Sequence, residues 1–140
     1  MLQEWLARLR AHLSPGQAIG AVGEAAAARE LRRLGYTVVV RNWRHGRDEL
    51  DLVCCEGDVL VFVEVKTRAA HALVGGYAAV DRRKRKALLR VTHAYLARLT
   101  EKSRTFRFDV VEVEHRDGVV TAVRHFANVP LFSKYDHLER

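Results

Sequence analysis

The sequence predicts an α/β (α+β) fold, a central mixed β-sheet of about five strands flanked by helices. Three observations predict it. β-branched and aromatic runs recur at residues 36–43, 48–54, 59–67, 106–113 and 119–126, each bounded by turn residues. Helical periodicity appears at 2–13, 17–34 and 81–99, so the elements run α-α-β-β-β-α-β-β. Hydrophobic content of 49% and charged content of 29% are globular values, and 140 residues suffice for one domain with a real core.

Leu2, Trp5, Leu6, Leu9 and Leu13 space an amphipathic helix that Ser14-Pro15-Gly16 breaks. It is expected either to pack on the domain or to contact a partner. The alanine-rich second helix ends at Gly35, a C-terminal cap signal. Gly20 and Gly23 near its start each cost about 1 kcal/mol against alanine, and they allow another backbone to come close. Glu24 follows directly, where an acid ordinarily serves the helix dipole. The strand over 36–43 precedes two β-rich runs joined at Gly57-Asp58, an antiparallel hairpin signal. After a loop with Gly75-Gly76, Leu88, Val91, Tyr95 and Leu99 line one face of a third helix. Arg116-Asp117-Gly118 turns between the last two strands, and residues 127–140 read as irregular.

The hairpin collects charge where a buried strand would exclude it. Side chains alternate across a strand, so Glu64 shares a face with Lys66, and Glu49 shares one with Asp51. With Gly57-Asp58 as a two-residue turn, Glu56 pairs with Val59, Asp51 stands opposite Glu64, and Glu49 stands opposite Lys66. Opposed carboxylates destabilise a sheet, and carboxylates leave water only when paired or metal-bound. The patch therefore asks for a cation. Oxygen ligands suit Mg2+, and a lysine beside such an ion can polarise water or steady charge on a phosphate. Glu-Val-Lys alone would also suit an ordinary solvated strand. The second carboxylate run and the apolar stretch from Val59 to Val63 weigh against that.

Net charge is +7 and unevenly spread: residues 1–35 sum to +2, 36–68 to −1, 69–100 to +6 and 101–140 to zero. The excess centres on Arg82-Arg83-Lys84-Arg85-Lys86, with Arg68 upstream. A basic run is usually a solvated helix start, but cations sit badly near a helix N-terminus, and beside an acidic patch they fit a polyanion. Cys54 and Cys55 are adjacent, which fits neither a disulfide framework nor a zinc knuckle; one is expected in the core. The seven histidines, among them His45, His71 and His93, lack zinc-ligand spacing. No apolar run approaches the roughly 20 residues of a membrane helix, and Met1 opens no signal peptide. A cytoplasmic protein is expected, with nucleic acid as partner and no membrane.

Five ordered blocks, at Gly20-Ala21-Val22-Gly23-Glu24, Leu34-Gly35-Tyr36 with Arg41-Asn42, Glu49-Leu50-Asp51-Leu52-Val53, Phe62-Val63-Glu64-Val65-Lys66-Thr67-Arg68 and Arg107-Phe108-Asp109-Val110-Val111, resemble the YraN family of small bacterial proteins. The resemblance implies a restriction-endonuclease-like, PD-(D/E)XK fold of the kind found in Holliday junction resolvases. It sets residues 16–132 as the family core and 1–15 as a helical extension. By position it makes Asp51 and Glu64 ligands of Mg2+ or Mn2+, with the Val65 carbonyl a third, and Lys66 the residue that activates or orients water. Glu24 takes the place of the helical glutamate of resolvase-like members. Glu49 is added from strand parity as an outer or second-metal acid. Asp48 departs from the glycine usual in the family, and parity points it away from the patch.

The expected function is metal-dependent hydrolysis of phosphodiester bonds in DNA, including branched or flapped DNA. The alternatives are a nucleic-acid-binding module that keeps an idle site and a protein-interaction domain that uses the first helix. A homodimer is an open alternative for assembly.

Overall fold

The computed structural model describes residue 4 and residues 14–71, 82–101 and 105–130. Apart from Glu4, the predicted first helix lies outside the described residues, as do Gly75-Gly76, Asp81 and the chain beyond Pro130. Helix α1 spans Pro15–Arg33 and α2 spans Arg82–Ala97; the strands are β1 (Thr37–His45), β2 (Asp48–Glu56), β3 (Val59–Ala69), β4 (Phe106–Arg116) and β5 (Val119–Phe126).

Ser14-Pro15 starts α1 rather than merely ending what precedes it. Ser14 Oγ accepts from the Gln17 N–H at 3.3 Å, and Gln17 Oε1 accepts from the Ser14 N–H at 3.0 Å. This is a capping box, with proline in the first turn, where its missing N–H costs nothing. At the other end the N–H groups of Gly35 and Tyr36 bond back to the carbonyls of Arg32 and Leu31. Gly35 takes φ 94°, the left-handed turn that such a cap requires. The cap delivers Tyr36 into the core beside Leu31.

The five strands form one mixed sheet in the order β1-β2-β3-β4-β5. Only β3 and β4 run parallel. Parallel neighbours need a crossover, and α2 lies in it. The alternating strand faces bury against different helices. Leu52, Cys54, Val61, Val63, Val111 and Val113 meet Ala27, Ala28 and Leu31 of α1. Leu50, Val53, Leu60, Phe62 and Phe108 meet Leu88 and Val91 of α2. Tyr95 fastens α2 to that face, edge-on to Trp43 at 5.1 Å and to Phe62 at 5.7 Å. Cys54 is the core cysteine, and burial pushes its thiol up to about 12.

The sheet edges are broken deliberately. The β1–β2 register slips between Val38 and Val40, and Val39 bulges out to 51% exposure. Such a bulge spoils an edge for pairing with another chain. On the far side, Asp117 and Gly118 both take positive φ, 50° and 81°, in the tight turn that pairs Arg116 with Val119.

Candidate metal centre

The turn at Gly57, φ 56°, sets the expected hairpin register, from Glu56↔Val59 to Leu52↔Val63. There the ladder ends. Strand parity places Asp51 opposite Glu64 and Glu49 opposite Lys66, but neither pair continues the ladder. Opposed carboxylates would burden a ladder pair at this point. Asp51 Oδ2 instead accepts the Val65 N–H at 2.8 Å. Opposite, Asn42 of β1 takes φ 51° and drops out of the pairing with β2 between Arg41 and Trp43.

Around this break four carboxylates collect from three elements. Glu24 of α1 and Glu49 and Asp51 of β2 each offer an oxygen within 4.8 Å of the others. Oxygens on one Mg2+ lie at most about 4.2 Å apart, twice the metal–oxygen distance, so these three are close to sharing an ion. Glu64 of β3 is 7% exposed and faces Asp51. Burial, then the charge of Glu64, pushes the Asp51 carboxyl up to about 8. Burial also raises Glu24, against a hydrogen bond from Asn42 that lowers it. Glu49 meets Arg44 at 3.2 Å on the outer side.

Two lysines answer these acids. Lys84 Nζ lies 3.2 Å from Glu64 Oε1, and Lys66 Nζ lies 3.8 Å from the same oxygen. Burial alone would lower the Lys84 ammonium, but the charge and hydrogen bond of Glu64, with the charges of Asp51 and Glu49, together outweigh it and raise the group. Glu64 Oε2 is buried with no hydrogen-bond partner among the described residues. Arg44, Lys66 and Lys84 supply three positive charges against four carboxylates, so the set keeps a net negative charge. The donor set is all oxygen, which suits Mg2+ or Mn2+.

What positions Glu24 is its neighbour. Gly23 is buried, and a Cβ there would collide with Thr67 Oγ1 and come within 3.0 Å of Thr67 Cβ and Cγ2. The close approach is therefore to a side chain of β3, not to a backbone. Gly20, expected to act likewise, has open space around it.

The remaining predicted residues scatter. Val65 gives its N–H to Asp51 and pairs with Val111 of β4. Arg68 lies farther along β3, in register with Glu114. Of the basic run, Lys84 turns into the acid set, Arg85 is half-buried, and Arg82, Arg83 and Lys86 are exposed. Asp48 turns from the acids to Arg90 of α2, with two bonds of 3.0 Å.

Two residues near the centre carried no sequence signal. Asn42 bonds Glu24. Glu112 of β4 stands beside Lys66 in the parallel register, buried, with one oxygen on Arg124 at 3.0 Å. A third buried acid, Asp109, belongs to a separate network. It accepts from Arg107 Nε at 3.0 Å and the Asn128 N–H at 2.9 Å, and lies 2.7 Å from His125 Nε2 and 3.3 Å from the Tyr36 hydroxyl. Every neighbour of that carboxylate is a donor or a protonatable ring, so it needs no ion.

The family model described as "Uncharacterised protein family UPF0102" matches residues 23–113, from the glycine beside Glu24 to the end of the core part of β4. The chain belongs to this family. It is the family that the sequence blocks resemble under the name YraN. A UPF0102 protein of Nitratidesulfovibrio vulgaris (strain DP4) is 47% identical over 104 residues, covering 74% of this chain and 78% of that protein. A UPF0102 protein of Symbiobacterium thermophilum is 46% identical over 96 residues, covering 69% of this chain and 81% of that protein. One from Beutenbergia cavernae is 44% identical over 112 residues, covering 80% and 95%. The match to the family model spans all four carboxylates and both lysines of the centre.

Proposed function

We propose that this UPF0102 protein is a metal-dependent nuclease that hydrolyses phosphodiester bonds in DNA, with Mg2+ or Mn2+ held by Asp51, Glu64, Glu24 and Glu49. The observation that carries the reading is the pair of mutually repelling carboxylates, half-buried Asp51 and buried Glu64, with an oxygen of Glu64 left unpartnered among the described residues. A buried like-charged pair is costly to folding unless a cation or proton resolves it. The restriction-endonuclease resemblance of the sequence blocks points the same way.

When bound, the divalent ion supplies Lewis-acid stabilisation of charge on the phosphate oxygens. The chain's own groups do the rest. Asp51 is fixed by the Val65 N–H, so its free oxygen is already aimed. Lys66, on the same strand two residues from Glu64, directs its protons toward the reacting phosphate and orients the attacking water. Lys84 stays charged among the acids and steadies the negative charge that develops during in-line displacement. The Gly23–Thr67 contact sets the position of Glu24.

The test is a cleavage panel of single-stranded, duplex, flap and four-way DNA with Mg2+, Mn2+ or chelator. Metal-dependent cleavage that falls on the order of 10²-fold or more in Lys66→Ala supports the reading. Full-rate cleavage in that variant, or none by the wild type on any substrate, contradicts it.

A further inference from the structure

A groove of about 270 Å³ opens beside the metal centre, between the start of β2 and α2, lined by Arg47, Asp48, Arg83, Lys86, Ala87 and Arg90. Its charges are unequal in kind. Arg90 is committed to Asp48 by two bonds of 3.0 Å and braces the helix to the strand. Arg47, Arg83 and Lys86 are exposed and have no ion-pair partner among the described residues. Arg83 and Lys86 are three residues apart, and Lys86 and Arg90 four, so all three cations face one way on α2. Like charges at that spacing destabilise a helix by about 0.2–0.5 kcal/mol per pair. Cations in the opening turn also oppose the helix dipole. The arrangement is unfavourable until an anion lies against it.

The position tells which anion. Arg83 adjoins Lys84, which meets Glu64, and Asp48, though turned away from the acids, is next to Glu49 on β2, so the groove lies beside the acid set. From Arg83 to Lys86 the helix rises about 4.5 Å, on the order of one phosphate step along one strand of a duplex. We propose that Arg47, Arg83 and Lys86 bind consecutive backbone phosphates of a DNA duplex and lead one strand into the metal centre. This rests on the nuclease reading above, and it divides the basic run in two: Lys84 serves the chemistry, Arg83 and Lys86 the grip. The Asp48–Arg90 ion pair ties α2 to β2 at the groove and is a positioning pair.

The test measures binding without turnover. Fluorescence anisotropy of a short labelled DNA duplex, in chelator, is followed from about 50 to 200 mM salt. The variant is Arg47→Gln/Arg83→Gln/Lys86→Gln. The control, Arg29→Gln/Arg32→Gln/Arg116→Gln, removes the same charge elsewhere, and circular dichroism verifies the fold of both. Neutralising three phosphate contacts contributes about −2.7 to the slope of log K against log salt. The variant is expected to lose that much slope and roughly 100-fold in affinity near 0.1 M salt, while the control keeps nearly all of both. Equal losses in variant and control, an unchanged slope, or a wild type that does not bind duplex would overturn the proposal. So would displacement of the duplex by inorganic phosphate at constant ionic strength, which would give the groove to a free anion. The outcome is separable from the nuclease reading: slope loss without any cleavage keeps the groove and removes the activity, and cleavage with an unchanged slope does the reverse.

Discussion

Gly20 and Gly23 lie one turn apart on α1, yet alanine is expected to act oppositely at the two. In a helix interior, glycine to alanine gains about 1 kcal/mol from backbone entropy. At Gly20 nothing stands within 4 Å of the added Cβ, so Gly20→Ala is expected to stabilise by nearly that full amount. At Gly23 the added Cβ strikes Thr67 Oγ1. Turning Thr67 about χ1 can move Oγ1 aside, but Thr67 Cβ itself stays at 3.0 Å. The helix must therefore lift from β3, and overpacking of this kind costs about 1–3 kcal/mol. Setting the two effects against each other leaves Gly23→Ala destabilised by up to about 2 kcal/mol, or several degrees in Tm for a chain of this size. Glu24 moves with the helix, so metal-dependent cleavage is expected to fall as well. Urea and thermal unfolding of both single variants, and of Gly23→Ala/Thr67→Ala, check this. The double variant is expected to recover part of the loss, a coupling that a double-mutant cycle reads directly. If Gly23→Ala gains stability as Gly20→Ala does, or if no coupling to Thr67 appears, the close-packing account of how Glu24 is positioned is refuted.

Other outcomes follow from the same geometry. Lys84→Met is expected to lower turnover on the order of 10²-fold while tightening Mn2+ binding, because one opposing cation leaves the acid set; full turnover in single-turnover assays would return Lys84 to the surface role its position in the basic run suggests. Asp109→Asn is expected to cost about 3 kcal/mol in urea unfolding at neutral pH, since it breaks a buried ion pair with Arg107 from one side. Burial would raise the Asp109 carboxyl, but Arg107, the Asn128 N–H and His125 outweigh it and hold the group below its ordinary range. Its contribution to stability is thus present above the unfolded value near 4 and is lost as pH falls through the lower folded value. The wild-type acid limb is expected to flatten in the variant, and equal acid profiles would contradict this.

Much of this fold is legible because its punctuation is local. Gly57, Gly35 and the Asp117-Gly118 pair fix turns through the φ they permit, and the hairpin register follows from the length of one turn. The predicted strand over 106–113 runs on to Arg116, and the one over 119–126 recurs with the same bounds. Ser14-Pro15-Gly16 reads in sequence as a break, yet it caps a helix, because proline and serine serve both to stop one helix and to cap the next.

The acid patch was legible only up to its last step. Alternation of side chains brings Glu49, Asp51 and Glu64 to one region, but parity assumes a continuous ladder, and this one ends where the charges begin. Lys84 could not be separated from Arg83 or Lys86 by sequence, because which of them meets Glu64 depends on how α2 lies across the sheet. Asn42 enters through a left-handed φ rarely taken outside glycine, and Glu112 through a parallel register that no local turn specifies. The bond between Tyr36 and Asp109 joins residues 73 positions apart. Contacts at that separation are set by packing of the whole sheet, not by any short pattern.

The most direct measurement is calorimetric titration of Mn2+ into the metal-free wild type, Asp51→Asn and Lys66→Ala. The account requires saturable uptake near one ion per chain by the wild type, its loss in Asp51→Asn and its retention in Lys66→Ala. A folded wild type that takes up no ion, or an Asp51→Asn protein that binds as well as the wild type, would contradict it.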